Sequence, residues 1–361
     1  MKTNKKQFLT GAEVVVRACV DAGAKMMFGY PITPGTEILS HWIREAQSRL
    51  IGGQADKSLK YLQTEDEIAA GFCMCGAVMA GEKTFTATAG PGTVLMQDAL
   101  SMADGMRLPV VVIVVQRGGP SSGTVIYSQQ EVNLAIHGGN GEGLRLVYSP
   151  SNLTELYEYT RLAFNNAWKY NFPVIVLSDG FLMKTRQLVD LEKIKIKNIE
   201  TEAIISENTQ KNIRNIYTFE EELGEKLARD KKDFEKMAGE VIMSEVFCGR
   251  GQVETCPYEE LVIAHGIVAG AAKEAVNALR LAPLAQGKKV GLFRPITLSP
   301  FPAKELNELA KQAKKIFVVE SSMGQLRDLV KQNLEVAVEV SGLYKPAEGI
   351  ESEEIVKLLN C

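Results

Sequence analysis

Four runs of this chain combine residue types that could hold or activate a small polar ligand. Gly29–Glu37 reads GYPITPGTE: Pro31 and Pro34 fix φ and remove two backbone donors, while Thr33 and Thr36 bring hydroxyls to a helix start with unpaired N–H groups. Such a segment is either a rigid strand-to-helix turn capped by Thr or a preorganised ligand loop. Gln63–Glu67, QTEDE, places three consecutive acids ahead of a helix containing Ala69, Ala70, Gly71, Gly76, Ala77 and Ala80. One or two of them can simply favour the positive end of the helix dipole. The small residues also let backbones approach closely. A carboxylate in that first turn is therefore expected to be partly desolvated, its pKa raised, and able to hold a proton for a ligand nitrogen. Gln116–Gly123, QRGGPSSG, leaves the most apolar strand and fixes Arg117 among glycines. A guanidinium there calls for an anion; its planar fork suits a ligand carboxylate, and an interface salt bridge would serve it equally. Thr86–Met96, TATAGPGTVLM, lacks both the GxxxxGK[ST] lysine and the GxGxxG spacing, so a tight turn feeding a packed helix explains it as well as a phosphate loop does.

Other reactive residue types are sparse. Cys73 and Cys75 fall on different faces of a helix, Cys248 and Cys256 lie eight positions apart, and no CxxC pair occurs. Cys19 reads as core and Cys361 as a terminus. His41, His137 and His265 are widely separated, and only His137, in the glycine-rich HGGNGE, invites attention. No metal site is expected in this chain.

The elements that must position these runs follow from composition and pattern. At 361 residues the chain is long enough for two or three domains, and 45% apolar with 24% charged residues describes an ordinary globular protein. A formal charge of −3 gives no concentrated basic face for nucleic acid or an anionic membrane. Neither a secretory h-region nor a membrane-length apolar run is present, which predicts a cytoplasmic address.

The first half alternates helix and strand signals. The pattern predicts helices over Gly11–Gly23, Glu65–Ala80, Thr93–Gly105 and Leu153–Lys169, and strands over Lys25–Gly29, Lys83–Ala87, Val110–Val115 and Pro173–Ser178. VVVIVV at Val110–Val115 is apolar at every position, as a strand buried on both faces should be. Beta-alpha alternation predicts a mostly parallel sheet sheathed by helices, with ligands where strand carboxyl ends meet loops. A charge-rich helix over Glu220–Glu240 follows, in which Phe219, Leu223 and Leu227 recur every four residues and could pack. From Glu260 the alternation resumes: strands over Leu261–Ala264, Val290–Arg294, Lys315–Glu320 and Val336–Val340, with helices over Val268–Leu281, Ala303–Gln312 and Met323–Asn333. The expected organisation is an α/β domain over 1–185, a linker with a charged helix over 186–258, and a smaller α/β domain over 259–361.

GYPITPGTE, QTEDEIAA, TATAGPGTVLMQDALSMA, VQRGGPSSG, RPITLSPFP at Arg294–Pro302 and SSMGQ at Ser321–Gln325 occur together and in order. Taken together they resemble the alpha subunit of the multisubunit 2-oxoacid:ferredoxin oxidoreductases over nearly the whole chain. RPITLSPFP is most similar to the 2-oxoisovalerate (3-methyl-2-oxobutanoate) branch, while 2-oxoglutarate-type alpha subunits share most of the set. An aryl or indole 2-oxoacid oxidoreductase subunit and a catalytically silent assembly subunit are the competing readings.

The resemblance implies a thiamine-diphosphate pyrimidine-binding-type domain followed by a transketolase C-terminal-like α/β domain. It also implies oxidative decarboxylation of a 2-oxoacid to acyl-CoA and CO2, with electrons passed to ferredoxin. A beta subunit would hold the diphosphate and Mg2+, and gamma- and delta-type subunits would carry the iron–sulfur clusters and coenzyme A functions. This chain accordingly has no GDG…N motif and no cluster cysteines. On the same resemblance Glu65 would hydrogen-bond the aminopyrimidine nitrogen, Thr33 would sit by the substrate oxygens, and Arg117 would pair with the substrate carboxylate. Tyr30, Pro31, Ile32, Gly90 and Pro91 would complete the cofactor contacts. Two departures, GGNGE at Gly138–Glu142 and DGFLMKTRQ at Asp179–Gln187, stand where relatives tend toward GGHGD and DGxLGxxxE, and both could alter the pocket.

Overall fold

The computed structural model describes residues 6–51, 59–205, 213–248, 258–281 and 289–360; Cys256 and Cys361 lie outside these ranges. In chain order the strands are β1 (Gln7–Thr10), β2 (Met26–Gly29), β3 (Lys60–Gln63), β4 (Thr84–Thr88), β5 (Val111–Gln116), β6 (Leu146–Tyr148) and β7 (Val174–Asp179). They continue with β8 (Arg186–Val189), β9 (Ser244–Phe247), β10 (Glu260–Ile263), β11 (Val290–Pro295), β12 (Thr297–Ser299), β13 (Lys315–Glu320) and β14 (Glu339–Tyr344). The larger sheet runs β12-β6-β7-β5-β4-β2-β3, and every pairing in it is parallel except that of β12 on β6.

Alternation along β5 builds the two core layers. Val111, Ile113 and Val115 face the layer of helices Gly11–Asp21, Thr36–Ile51 and Leu153–Tyr170. Val112 and Val114 face the layer of helices Glu67–Met79, Gln97–Met106 and Val132–His137. In the first layer Trp42 meets Phe85 edge-on at 5.0 Å and Phe85 meets Phe164 at 6.3 Å, the edge-to-face arrangement aromatic quadrupoles favour. Side-chain caps start three of these helices: Thr10 and Glu13 form a reciprocal capping box, and Asp66 and Asn152 each accept an N–H of the first turn.

The second sheet runs β14-β13-β10-β11-β9, with β9 its antiparallel edge. One face packs in the same apolar cluster as Val132 and Ile136, so the two α/β units share a core layer. Arg294, fully buried at the end of β11, ties the seam by binding Glu155 (2.5 and 2.9 Å) and Glu245 (2.9 Å). RPITLSPFP is thus a structural seam: a buried ion pair followed by β12, which crosses to the larger sheet.

The structure departs from several sequence expectations. Thr93–Gly105 is two helices, Pro91–Leu95 and Gln97–Met106, meeting at Met96, because Pro91 starts the first one early. The last strand lies at β14 rather than Val336–Val340. Gly342 permits it, since a Cβ there would lie 1.8 Å from the Val318 carbonyl oxygen. Within 186–258, β8 pairs antiparallel with β1 while β9 joins the second sheet. The charged helix, Glu220–Val241, buries Met237 and Val241, whereas Phe219 and Leu223 stay exposed.

Candidate functional site

The carboxyl ends of β2, β4, β5 and β7 lie side by side in the larger sheet, and their loops converge. Gly35, in the loop after β2, lies over the Thr88 backbone, and a Cβ on Gly180, just after β7, would meet Pro34 at 3.0 Å and collide with the Ile126 carbonyl. Arg117, leaving β5, reaches across and donates from Nη1 to the Thr33 carbonyl at 2.7 Å. It passes under Gly90, where a Cβ would lie 2.7 Å from Arg117 Nε. Glycine is required there twice over, since φ of Gly90 is +54°. The structure therefore brings together Thr33, Gly90, Pro91 and Arg117. Tyr30, Pro31 and Thr33 are exposed at the mouth, Ile32 is half-buried, and Arg117 is buried.

Within QTEDE the three acids separate by role. Asp66 caps the helix by accepting from Ala69 N–H at 2.7 Å, so it is the dipole-favouring residue. Glu65 precedes the cap and is exposed. Glu67 begins the buried face it shares with Ala70, Gly71, Met74, Cys75 and Val78. Only 4% exposed, it is the desolvated carboxylate that the small-residue helix calls for. Its Oε1 has no hydrogen-bond partner and comes so close to Gly92 that a Cβ there would lie 2.4 Å away. Burial pushes its pKa up and the Asp66 charge adds to the rise, while its own backbone N–H and the Arg117 guanidinium oppose it.

A second acid, which sequence reasoning missed, stands on the other side of Arg117. Glu131 is buried and its Oε1 accepts two N–H groups at once, from Gly90 (2.9 Å) and from Arg117 (3.1 Å). Burial raises its pKa against the hydrogen bonds of Thr93, Gly90 and Arg117. No charged side chain forms an ion pair with Arg117 among the described residues. The Arg117 Nε, Glu67 Oε1 and the Thr88 hydroxyl are buried without a hydrogen-bond partner. Buried polar atoms usually have partners, so this concentration of unmet donors and acceptors around one glycine turn marks a place where polar ligand atoms or water complete the bonding.

The histidines, the HGGNGE run and Cys75 lie elsewhere or are structural. His265 is fully buried on Ser149 Oγ (2.9 Å), and burial together with the Arg294 charge pushes its pKa down to about 3, so it is neutral. His137 is exposed, and Gly138–Gly143 leans on Gln97, Ser101, Asp104 and Arg145. The departure at Asp179–Gln187 is the one that reaches the site, through Gly180 on Pro34. Cys75 donates to the Ala99 carbonyl, and burial raises its pKa to about 12. Among the described residues no three His, Cys, Asp or Glu side chains are grouped to hold a metal ion, and no helix is long and apolar enough to cross a membrane.

Comparison with known proteins bears on what this confluence is. The family described as pyruvate flavodoxin/ferredoxin oxidoreductase, thiamine diphosphate binding, matches residues 17–240, and pyruvate:ferredoxin oxidoreductase core domain II matches 259–353. The chain is 32% identical to the ketoisovalerate oxidoreductase subunit VorB of Methanothermobacter marburgensis, over 90% of this chain and 89% of that one. It is 31% identical to the 2-oxoglutarate synthase subunit KorA of Methanocaldococcus jannaschii, over 93% and 94%. Among solved structures it superimposes, with TM-score 0.86 and 26% identity, on the 2-oxoglutarate:ferredoxin oxidoreductase of Magnetococcus marinus solved with 2-oxoglutarate, coenzyme A and succinyl-CoA bound. That match covers 100% of this chain and 66% of the other. Relatives of similar identity fall in both the ketoisovalerate and the 2-oxoglutarate branches. A thiamine-diphosphate-type α/β sheet with a smaller α/β unit behind it, and matches spanning nearly the whole length, lead to one conclusion: this chain belongs to the pyruvate flavodoxin/ferredoxin oxidoreductase family, as an alpha-type subunit of a 2-oxoacid oxidoreductase.

Proposed function

We propose that this chain forms the substrate-facing, aminopyrimidine-binding half of a thiamine diphosphate site in a 2-oxoacid:ferredoxin oxidoreductase. The assembled enzyme would decarboxylate a 2-oxoacid oxidatively to acyl-CoA and CO2 and reduce ferredoxin in the cytoplasm. The observation that carries the reading is the buried carboxyl of Glu67, its Oε1 unpartnered, at the same confluence of loops as Arg117, which is pinned on the Thr33 carbonyl.

These residues fit the cofactor's ring on their own chemistry. A carboxyl with a raised pKa and an unpartnered oxygen can share a proton with a ring nitrogen, and the glycines at positions 90 and 92 let the Arg117 and Glu67 side chains pack directly on the turn between them. We therefore assign Glu67 the role that resemblance alone gives Glu65. Tyr30, Pro31, Ile32, Gly90 and Pro91 would wall the ring. Thiamine diphosphate, when bound, supplies a carbon nucleophile and an electron sink for loss of CO2. Arg117 orients the oxoacid by its carboxylate, and Thr33 sits beside the substrate oxygens. A beta subunit would hold diphosphate and Mg2+, and gamma- and delta-type subunits the clusters and coenzyme A.

For the substrate we take 2-oxoglutarate first, supported by the fold match to the Magnetococcus marinus enzyme. Exposed Val125 and Ile126, next to the Pro34 loop through Gly180, favour a branched-chain 2-oxoacid as the second reading. The test is purification of the complex from its native source and an oxoacid panel with coenzyme A and ferredoxin or an artificial acceptor. The expected result is reduction that depends on both oxoacid and coenzyme A, with none from the isolated chain. Turnover by the lone chain, or a complex inert to every 2-oxoacid, would overturn the proposal.

A further inference from the structure

Arg117 and Gly90 are held in place by a strap that joins the larger sheet to the second α/β unit; on the sheet side Glu131 N–H donates to Gln116 Oε1, at the end of β5, at 3.2 Å. Gln129–Asn133 lies between β5 and β6, and its bonds to the Arg117 turn come from two consecutive side chains. Glu131 Oε1 takes the N–H groups of Gly90 and Arg117, and Gln130 Oε1 takes the Gly119 N–H at 3.2 Å.

The strap in turn is gripped from the second α/β unit. Gln129 N–H donates to the Ser321 carbonyl and Ser321 N–H donates back to Gln129 Oε1, both at 3.0 Å. Gln129 Nε2 donates to the His265 carbonyl at 2.9 Å. Gln325 Nε2 donates to the Gln130 carbonyl at 2.7 Å, and its Oε1 accepts the Asn133 N–H at 2.9 Å. The gripping turn is itself rigid. Fully buried Glu320 accepts the N–H groups of Leu326 (2.8 Å) and Arg327 (2.9 Å), and Ser322 Oγ accepts those of Gly324 and Gln325.

We propose that the Ser321–Gln325 turn is the positioning element for Arg117: through Gln129, Gln130 and Glu131 it fixes where the guanidinium meets the substrate carboxylate. Gln325 and Gln129 touch no reacting atom; they are positioning residues. The inference rests on the reading that Arg117 binds the oxoacid. Its consequence is specific. Loosening the grip misaims Arg117 and weakens substrate capture, while Glu67 and the cofactor wall, which the strap does not hold except at Gly90, are spared.

The test uses the assembled complex and the oxoacid it turns over fastest, with Gln325→Ala, Arg117→Lys and the double variant, each checked for intact mass. Gln325→Ala is expected to raise the KM for the oxoacid about tenfold, the scale of losing two hydrogen bonds, with kcat and thiamine diphosphate affinity within about threefold. Residues acting through a shared partner are non-additive, so in the Arg117→Lys background the same change should add less than about twofold. Gln325→Glu, at a half-buried position, keeps the acceptor for Asn133 N–H and loses the donor to the Gln130 carbonyl; it should show a smaller rise of the same kind, and it serves if Gln325→Ala fails to assemble. An unchanged KM in an intact complex, or an equal KM rise in both Arg117 backgrounds, would overturn the proposal. If instead Arg117→Lys alone leaves the KM unchanged, the assignment of Arg117 to the carboxylate is what fails.

Discussion

Replacing Glu67 by Gln, with Glu65→Gln as its partner experiment, separates the two carboxylates that one sequence motif offers. Glu67 is 4% exposed, its Oε1 has no protein partner, and its surroundings are the backbone of Gly92 and the hydroxyl of Thr88. An amide of the same size keeps the packing but cannot share a proton with a ring nitrogen. Removing one preorganised, charge-assisted hydrogen bond where charge develops costs about 2–4 kcal/mol, or about 30- to 1000-fold in rate. Glu65 lies outside the helix and is exposed in this chain, and on this account its replacement should cost no more than about twofold. The assay is hydrogen–deuterium exchange at the thiamine C2 carbon in the assembled complex, together with kcat/KM. The account expects exchange to slow in Glu67→Gln and to remain near wild type in Glu65→Gln. The reverse pattern, with Glu67→Gln exchanging at the wild-type rate, would refute the reasoning from burial and place Glu65 at the ring in the closed subunit interface.

Three further outcomes follow from the same structure. Arg117→Lys keeps the charge and loses the fork, so oxoacid kcat/KM should fall about 10- to 100-fold at about 1.4 kcal/mol per tenfold, with cofactor affinity within a few-fold by titration. Arg294→Met leaves Glu155 and Glu245 without their buried partner; breaking a buried pair costs about 3–5 kcal/mol, visible as a clear drop in Tm by calorimetry. Asp179 is fully buried, and burial lifts its pKa from 3.8 to about 7 against the N–H groups of Leu182 and Phe181. Between those values the folded chain binds the extra proton, so stability should fall as pH rises through the window. Asp179→Asn, which can still cap Leu182, should flatten that slope in denaturant titrations.

Much of the frame was legible because its signals are local. VVVIVV reads as a strand covered on both faces, and the apolar periodicity over Gly11–Gly23 and Leu153–Lys169 marks two of the helices. The convergence of GYPITPGTE, AGPG and QRGG follows from where parallel strands end. The burial of Glu67 was legible too. Counting from it, Ala70, Gly71, Met74, Cys75 and Val78 follow at three- and four-residue steps, so helical phase turns Glu67 inward while Glu65 lies outside the helix. Glu131 left no such trace: YSQQEV is polar and aperiodic, and its burial depends on a turn some 190 residues later. Likewise β8, β9 and β12 are short strands whose partners are distant in sequence, and Ser341-Gly342 reads as a turn until Val318 is placed beside it.

The central claim, that this chain's loops after β2, β4 and β5 receive both cofactor ring and oxoacid, is tested most directly by a structure of the assembled complex with thiamine diphosphate and a 2-oxoacid. The account predicts the aminopyrimidine in hydrogen-bond contact with Glu67 Oε1 and the oxoacid carboxylate on the Arg117 guanidinium. Ligand density bounded wholly by other subunits, with the Glu67–Arg117 face packed against protein, would contradict it.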